Sequence, residues 1–151
     1  MKLLVIILFL NVISGCGYSQ NSFLFFDIDS IKYDISVPYD LANQMKRHST
    51  NENNPRIREV RIYDYEIESY DVFGGNYFAS MERELTISIK VDFDIDGKSF
   101  TKEISSVQRF NLNELSPLSE KESMNYALKV THEDITKQII IEASKIGMQS
   151  Y

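Results

Sequence analysis

The sequence has one cysteine, Cys16, no tryptophan, two histidines and three prolines in 151 residues. A lone thiol forms no internal disulfide and assembles no zinc site by itself. His48 and His132 fall in separate helical stretches, so no nucleophile, base and orienting group are drawn together. HExxH, a glycine-rich phosphate loop and an EF-hand loop are all missing. Asp92, Asp94 and Asp96 are acidic enough to attract calcium, but the first two alternate along a strand and the third belongs to a turn, so the curvature for coordination is lacking. Cationic side chains are scarce, 16 against 22 carboxylates, for a net charge of −6. That balance excludes a general nucleic-acid binder. These absences point away from catalysis, metal and cofactor, and the length fits one domain.

What is present is a strong alternation. Leu85, Ile87, Ile89, Val91, Phe93 and Ile95 share one parity, and Glu84, Thr86, Ser88, Lys90, Asp92 and Asp94 share the other. This predicts a strand over 83–95 with one buried and one wet face. Asp96-Gly97 then predicts a two-residue hairpin turn, because a type I′ turn needs positive φ at both central positions. The return strand is expected over 99–110. A two-stranded ribbon is marginal alone and needs cover.

The front end carries a different signal. Lys2 precedes an apolar run over 3–10, and Ile13-Ser14-Gly15-Cys16 follows. The run is shorter than the roughly 20 residues that span a bilayer. It has the build of a secretory signal peptide over 1–15. The last four residues resemble the bacterial lipobox, in which the cysteine takes a diacylglyceryl thioether. Cys16 is therefore the expected lipidation site, with 16–22 as a lipidated tether and 23–147 as the folded domain. Gly17 lacks the acidic character of an inner-membrane retention signal, so the outer membrane, periplasmic side, is the expected location.

Between these landmarks the pattern predicts a strand over 23–28 and a connector over 29–37. A short helix should start near Val37-Pro38 with Ser36 as cap, presenting Leu41, Ala42 and Met45. A strand over 56–70 changes parity: Val60 and Ile62 lie on one side, and Tyr63, Tyr65 and Ile67 on the other. A bulge is the expected cause. A similar slip separates Ile104 from Val107 on the return strand. Ser119-Glu120-Lys121-Glu122 fits a capping box, and Met124, Leu128, Thr131, Ile135, Ile139, Ala143 and Ile146 recur at helical spacing before Gly147 as C-cap. That helix spans about 42 Å, close to the roughly 43 Å of the 83–95 strand. The expected fold class is α+β, a two-layer sandwich of a mixed four-stranded sheet with two helices on one face. His132 borders the helical stripe and reads as a half-buried structural histidine.

In order and spacing the chain resembles the LptE family of lipopolysaccharide-assembly lipoproteins. The resemblance rests on Cys16-Gly17-Tyr18, on Pro38-Tyr39 opening the short helix, on Val107-Gln108-Arg109-Phe110 ending the return strand, on the charged helix entry over 118–122, and on Asp134 and Gln138-Ile139. Ser19-Gln20 departs from the family's usual Leu-Arg pair. The resemblance implies a non-enzymatic, lipid-anchored subunit that plugs an LptD-like outer-membrane β-barrel, helps it fold and binds lipopolysaccharide. It implies Lys121 as a lipopolysaccharide contact, with Arg109 and Arg83 as further candidates. Tyr70, Phe73, Tyr77 and Phe78, around the glycine-rich loop over 70–79, are the candidate barrel contacts. The alternative is an accessory outer-membrane lipoprotein of another lipid-transport or secretion complex.

Overall fold

The computed structural model describes residues 28–47, 57–73, 80–112 and 116–149, without the side chains of 73, 80, 81 and 147–149. The signal peptide, Cys16, the tether, the apolar run over 23–26, His48, Tyr77 and Phe78 lie outside the described residues, as does the Phe73 side chain.

The elements follow in the order β1 (Ile28–Tyr33), α1 (Tyr39–Lys46), β2 (Ile57–Phe73), β3 (Ser80–Ile95), β4 (Lys98–Asn111) and α2 (Pro117–Gln149). The strands form one sheet in the order β1-β2-β3-β4. β1 runs parallel to β2, and the other pairs are antiparallel, so the sheet is mixed. α2 packs on β4 and β3, while α1 touches α2 and β1. This is the expected α+β two-layer sandwich.

The alternation of β3 sets the core. Leu85, Ile87, Ile89, Val91, Phe93 and Ile95 are all buried, facing Ile135, Ile139, Ala143 and Ile146 of α2 and Leu41 and Met45 of α1. Each such side chain contributes about 1.5–3 kcal/mol relative to exposure. Asp96 and Gly97 have φ of 52° and 76°, the signs a type I′ turn requires, and Ile95 pairs with Lys98 across it.

The bulge in β2 is present. The β2–β3 register shifts between Tyr63 and Glu66, and Asp64 sits at φ 52°. Its effect differs from the sequence expectation. Tyr63 stays on the outer face, where its hydroxyl donates to Asp92 Oδ1 at 3.1 Å. The extra residue returns Tyr65 and Ile67 to the helix side, the side of Val60 and Ile62. The slip expected near Ile104 is absent, because the β3–β4 register runs unbroken from Glu82↔Asn111 to Ile95↔Lys98. Ser106 takes the buried position and Val107 the exposed one, at 49%. The buried hydroxyl is satisfied by donating to Asp134 Oδ2 at 2.7 Å.

Several boundaries also differ, and residues 70–73, expected in the loop over 70–79, belong to β2. Residues 29–33, expected as connector, belong to β1, held by Lys32 on Glu59 at 2.7 Å and Ser30 Oγ on the Arg58 carbonyl at 3.1 Å. Pro38, not Ser36, is the N-cap of α1, with no side-chain cap. α2 begins at Pro117, before the Ser119 box, since the Glu120 N–H already donates to the Ser116 carbonyl at 3.1 Å. Proline's fixed φ suits that first helical position. The helix continues through Gly147 to Gln149, about 50 Å in all.

β1 is short, and this shapes the helix face. Its last partner on β2 is Ile62, and those residues lie toward the β3–β4 hairpin. Beyond the bulge, β2 has β3 on one side and no strand among the described residues on the other.

Candidate functional site

The four predicted site residues with described side chains gather at one end of the sheet. Tyr70 pairs across to Glu84 and on to Arg109, while Asp71 pairs across to Arg83 and on to Phe110. The entry of α2 lies over the same end. Arg83 Nε donates to Asp71 Oδ1 at 2.7 Å, and its Nη1 donates to Glu120 Oε1 at 3.2 Å. The guanidinium thus ties β2, β3 and α2 together, and the Asp71 hydrogen bond holds its pKa above the ordinary value. Arg83 shares the parity of Leu85 and faces the helix layer. Arg109 has the opposite parity and donates to Glu84 Oε2 at 2.8 Å on the outer face, with its pKa also raised by that bond. Lys121 is exposed in the first turns of α2 and forms no ion pair with a described residue. The three cations therefore share an end of the molecule but not a face. Tyr70 is exposed on the outer face and donates to Glu68 Oε2 at 2.6 Å.

The outer face is a polar lattice. Asp92 Oδ1 accepts from Tyr63 and, at 2.7 Å, from Thr101. Lys90 Nζ donates to Asp64 Oδ2 at 2.9 Å. On the other side of the sheet, Gln138 Nε2 donates to the Ser105 carbonyl at 3.2 Å and to Asp134 Oδ2 at 2.9 Å. Asp134 and Gln138 thereby clamp α2 onto β4.

A groove on the helix face has no counterpart among the sequence expectations. α1 is eight residues long, whereas α2 is 33, so β2 beyond its bulge has α2 beside it and no second helix among the described residues above it. The result is a cavity of about 910 Å³ between the Asp40, Asn43, Gln44 and Arg47 face of α1, the 125–140 stretch of α2, and Tyr65 and Ile67 of β2. In its wall the Tyr65 hydroxyl lies 2.9 Å from His132 Nε2, with the rings tilted at 57° and their centroids 5.9 Å apart. Burial pushes the Tyr65 phenol up to about 12 and pushes the His132 pKa down, with Asp40 partly opposing the latter. A protonated phenol can therefore donate to a neutral imidazole. Neither the pairing, 67 residues apart, nor the groove has a local sequence signal.

No protein-family model and no curated protein sequence matches the chain. Solved structures do. Rare lipoprotein B from Shewanella oneidensis is similar with a TM-score of 0.66 and 10% identity, covering 82% of this chain and 98% of its own. A minor lipoprotein from Acinetobacter baumannii is similar at 0.61 and 14% identity, over 81% and 92% of the two chains. An uncharacterized lipoprotein B from Nitrosomonas europaea is similar at 0.60 and 14% identity, over 83% and 89%. At these identities the likeness establishes a shared fold, and it spans nearly the whole of each neighbour.

Proposed function

We propose that this chain is a non-catalytic outer-membrane lipoprotein that assembles lipopolysaccharide together with an LptD-like β-barrel. The observation that carries the reading is the fold shared with three proteins called lipoproteins, over about four fifths of this chain. The chain's own lipobox at Cys16 agrees with those names. The lipopolysaccharide role comes from the resemblance to the LptE family. The geometry supports it in two ways. An outer face carrying Glu84, Thr86, Ser88, Lys90 and Asp92 suits the polar lumen of a large barrel. Lys121, exposed near the start of α2, is placed to meet a phosphate together with the helix dipole.

The test is purification of the tagged full-length protein from detergent-solubilised outer membranes. A stoichiometric large barrel is expected, and recovery without one favours a different accessory complex. In parallel, Lys121→Glu should weaken lipopolysaccharide capture about tenfold, the scale of a lost hydrogen bond to a charged group. The melting temperature should hardly move, because the side chain is exposed. Equal capture by both forms removes Lys121 from the site.

A further inference from the structure

We propose that the groove between α1, α2 and β2 holds one acyl chain of a phosphorylated lipid, with Arg47, Lys129 and Lys137 on its rim meeting the anionic head group. This deepens the lipopolysaccharide reading and rests on it for the natural ligand, though not for the groove itself.

Size is the first argument. At about 910 Å³ the cavity falls near the top of the range of roughly 300–1,000 Å³ in which small ligands are held. Its stretch of α2 runs from Asn125 to Ile140, about 22 Å at 1.5 Å per residue. One leaflet of a bilayer's hydrocarbon is about 15 Å thick, half of the core. A single acyl chain therefore fits lengthwise.

The lining is the second argument. Ile67, Leu128 and Ile140 supply an apolar strip between polar neighbours such as Asn43, Asn125 and Thr136, and Ile67 is 47% exposed although it faces the helix layer. The polar atoms of Tyr65 and His132 are turned on each other. A hydrocarbon lying across that pair leaves their mutual hydrogen bond intact.

Charge is the third. The chain is acidic overall, at −6, yet three cations line this cavity against two carboxylates, Asp40 and Glu133. Lys129 lies 4.0 Å from Glu133, while Arg47 and Lys137 form no ion pair with a described residue. The long stems of these side chains can lie along hydrocarbon while their charges reach a phosphate. Among the described residues, nothing pairs with β2 on the side where β1 ends and β2 continues, and the acyl chain would enter there.

The probe is dodecyl phosphate bearing a terminal diazirine, irradiated with the full-length lipidated protein in phosphatidylcholine vesicles and mapped by mass spectrometry. Labelling is expected on peptides containing Tyr65, Ile67, Leu128 or Ile140. A decyl probe, two methylenes shorter, should bind about fifteenfold more weakly, since each buried methylene counts for about fourfold. Ile67→Trp, which fills the groove, and Ile67→Glu, at a site exposed enough to tolerate charge, should each reduce labelling at least tenfold without changing the melting temperature. The paired Lys129→Glu and Lys137→Glu change should weaken the phosphate probe but not an uncharged dodecanol probe.

Several results overturn the proposal. Labelling centred on the Arg109 end does so, as does labelling indifferent to both Ile67 variants, or competition by inorganic phosphate alone, which would mark a head-group site without a chain. Lipopolysaccharide should displace the probe. If lipopolysaccharide binds normally to Ile67→Trp but not to Lys121→Glu, the groove fails and the lipopolysaccharide reading stands. If the groove is labelled as expected but lipopolysaccharide does not displace the probe, the acyl site stands and its assignment to lipopolysaccharide fails, while the lipopolysaccharide reading itself fails only if no barrel is recovered.

Discussion

At the scale of single residues, two side chains hold unusual positions. Asp64 adopts positive φ, a conformation that costs a typical L-residue about 1–2 kcal/mol and that Asp tolerates better than β-branched residues do. Asp64→Gly should be close to neutral, because lost strain offsets the lost contact with Lys90. Asp64→Val should cost about 1–2 kcal/mol, read as a lower urea midpoint. His132 gives a pH signature. Its folded pKa is depressed by burial, so between that value and the unfolded value near 6.5 the unfolded chain binds more protons. The stabilisation due to the neutral ring is complete above about pH 6.5 and declines as pH falls toward the folded pKa. The thermal midpoint should drop between pH 7 and pH 5.5, and His132→Gln should drop less over the same interval. Parallel curves would show that His132 does not titrate in this window. The sequence marked His132 as half-buried, whereas the structure buries it, at 5% exposure, against Tyr65. Its partner Tyr65 could not be inferred, because the bulge that aims Tyr65 inward is a backbone event at Asp64.

At the scale of elements, β3 and α2 were legible because apolar side chains fill the buried parity of β3 and most of the buried stripe of α2, where Thr131 satisfies its hydroxyl on the Ala127 carbonyl. Every apolar position of one parity from Leu85 to Ile95 is buried, and the Ile135, Ile139, Ala143, Ile146 stripe meets them. Ile135→Asp should leave the domain unfolded, since the position is fully buried and the carboxylate would have no partner. Circular dichroism would register the loss, and a folded, cooperative variant would contradict the packing described. β1 was hidden because its attachment is polar, through Ser30 and Lys32. On β4, polar and apolar residues exchange faces at Ser106 and Val107, and only the distant Asp134 makes that exchange tolerable. Polar satisfaction across 28 residues leaves no local mark, so the alternation misread there as a slip is continuous pairing.

At the scale of the whole molecule, the layers, the mixed sheet and the placing of both helices followed from element order. The gathering of Tyr70, Arg83, Arg109 and Lys121 at one end also followed from it. Their division between two faces depended on register, because Arg83 and Arg109 take opposite parities on neighbouring strands.

The short first strand has a further consequence, in how the molecule opens. Toward the hairpin, the backbone amides of β2 lie between two neighbouring strands, over the closed core. Past the bulge they have one neighbouring strand among the described residues and an open groove over their helix side. Local opening should therefore cost less there than in the hairpin half, and hydrogen–deuterium exchange should be faster at Glu66 and Glu68 than at Val60 and Ile62. The same chain would then combine a rigid base, which fixes the fold, with a compliant upper edge able to adjust to whatever it holds.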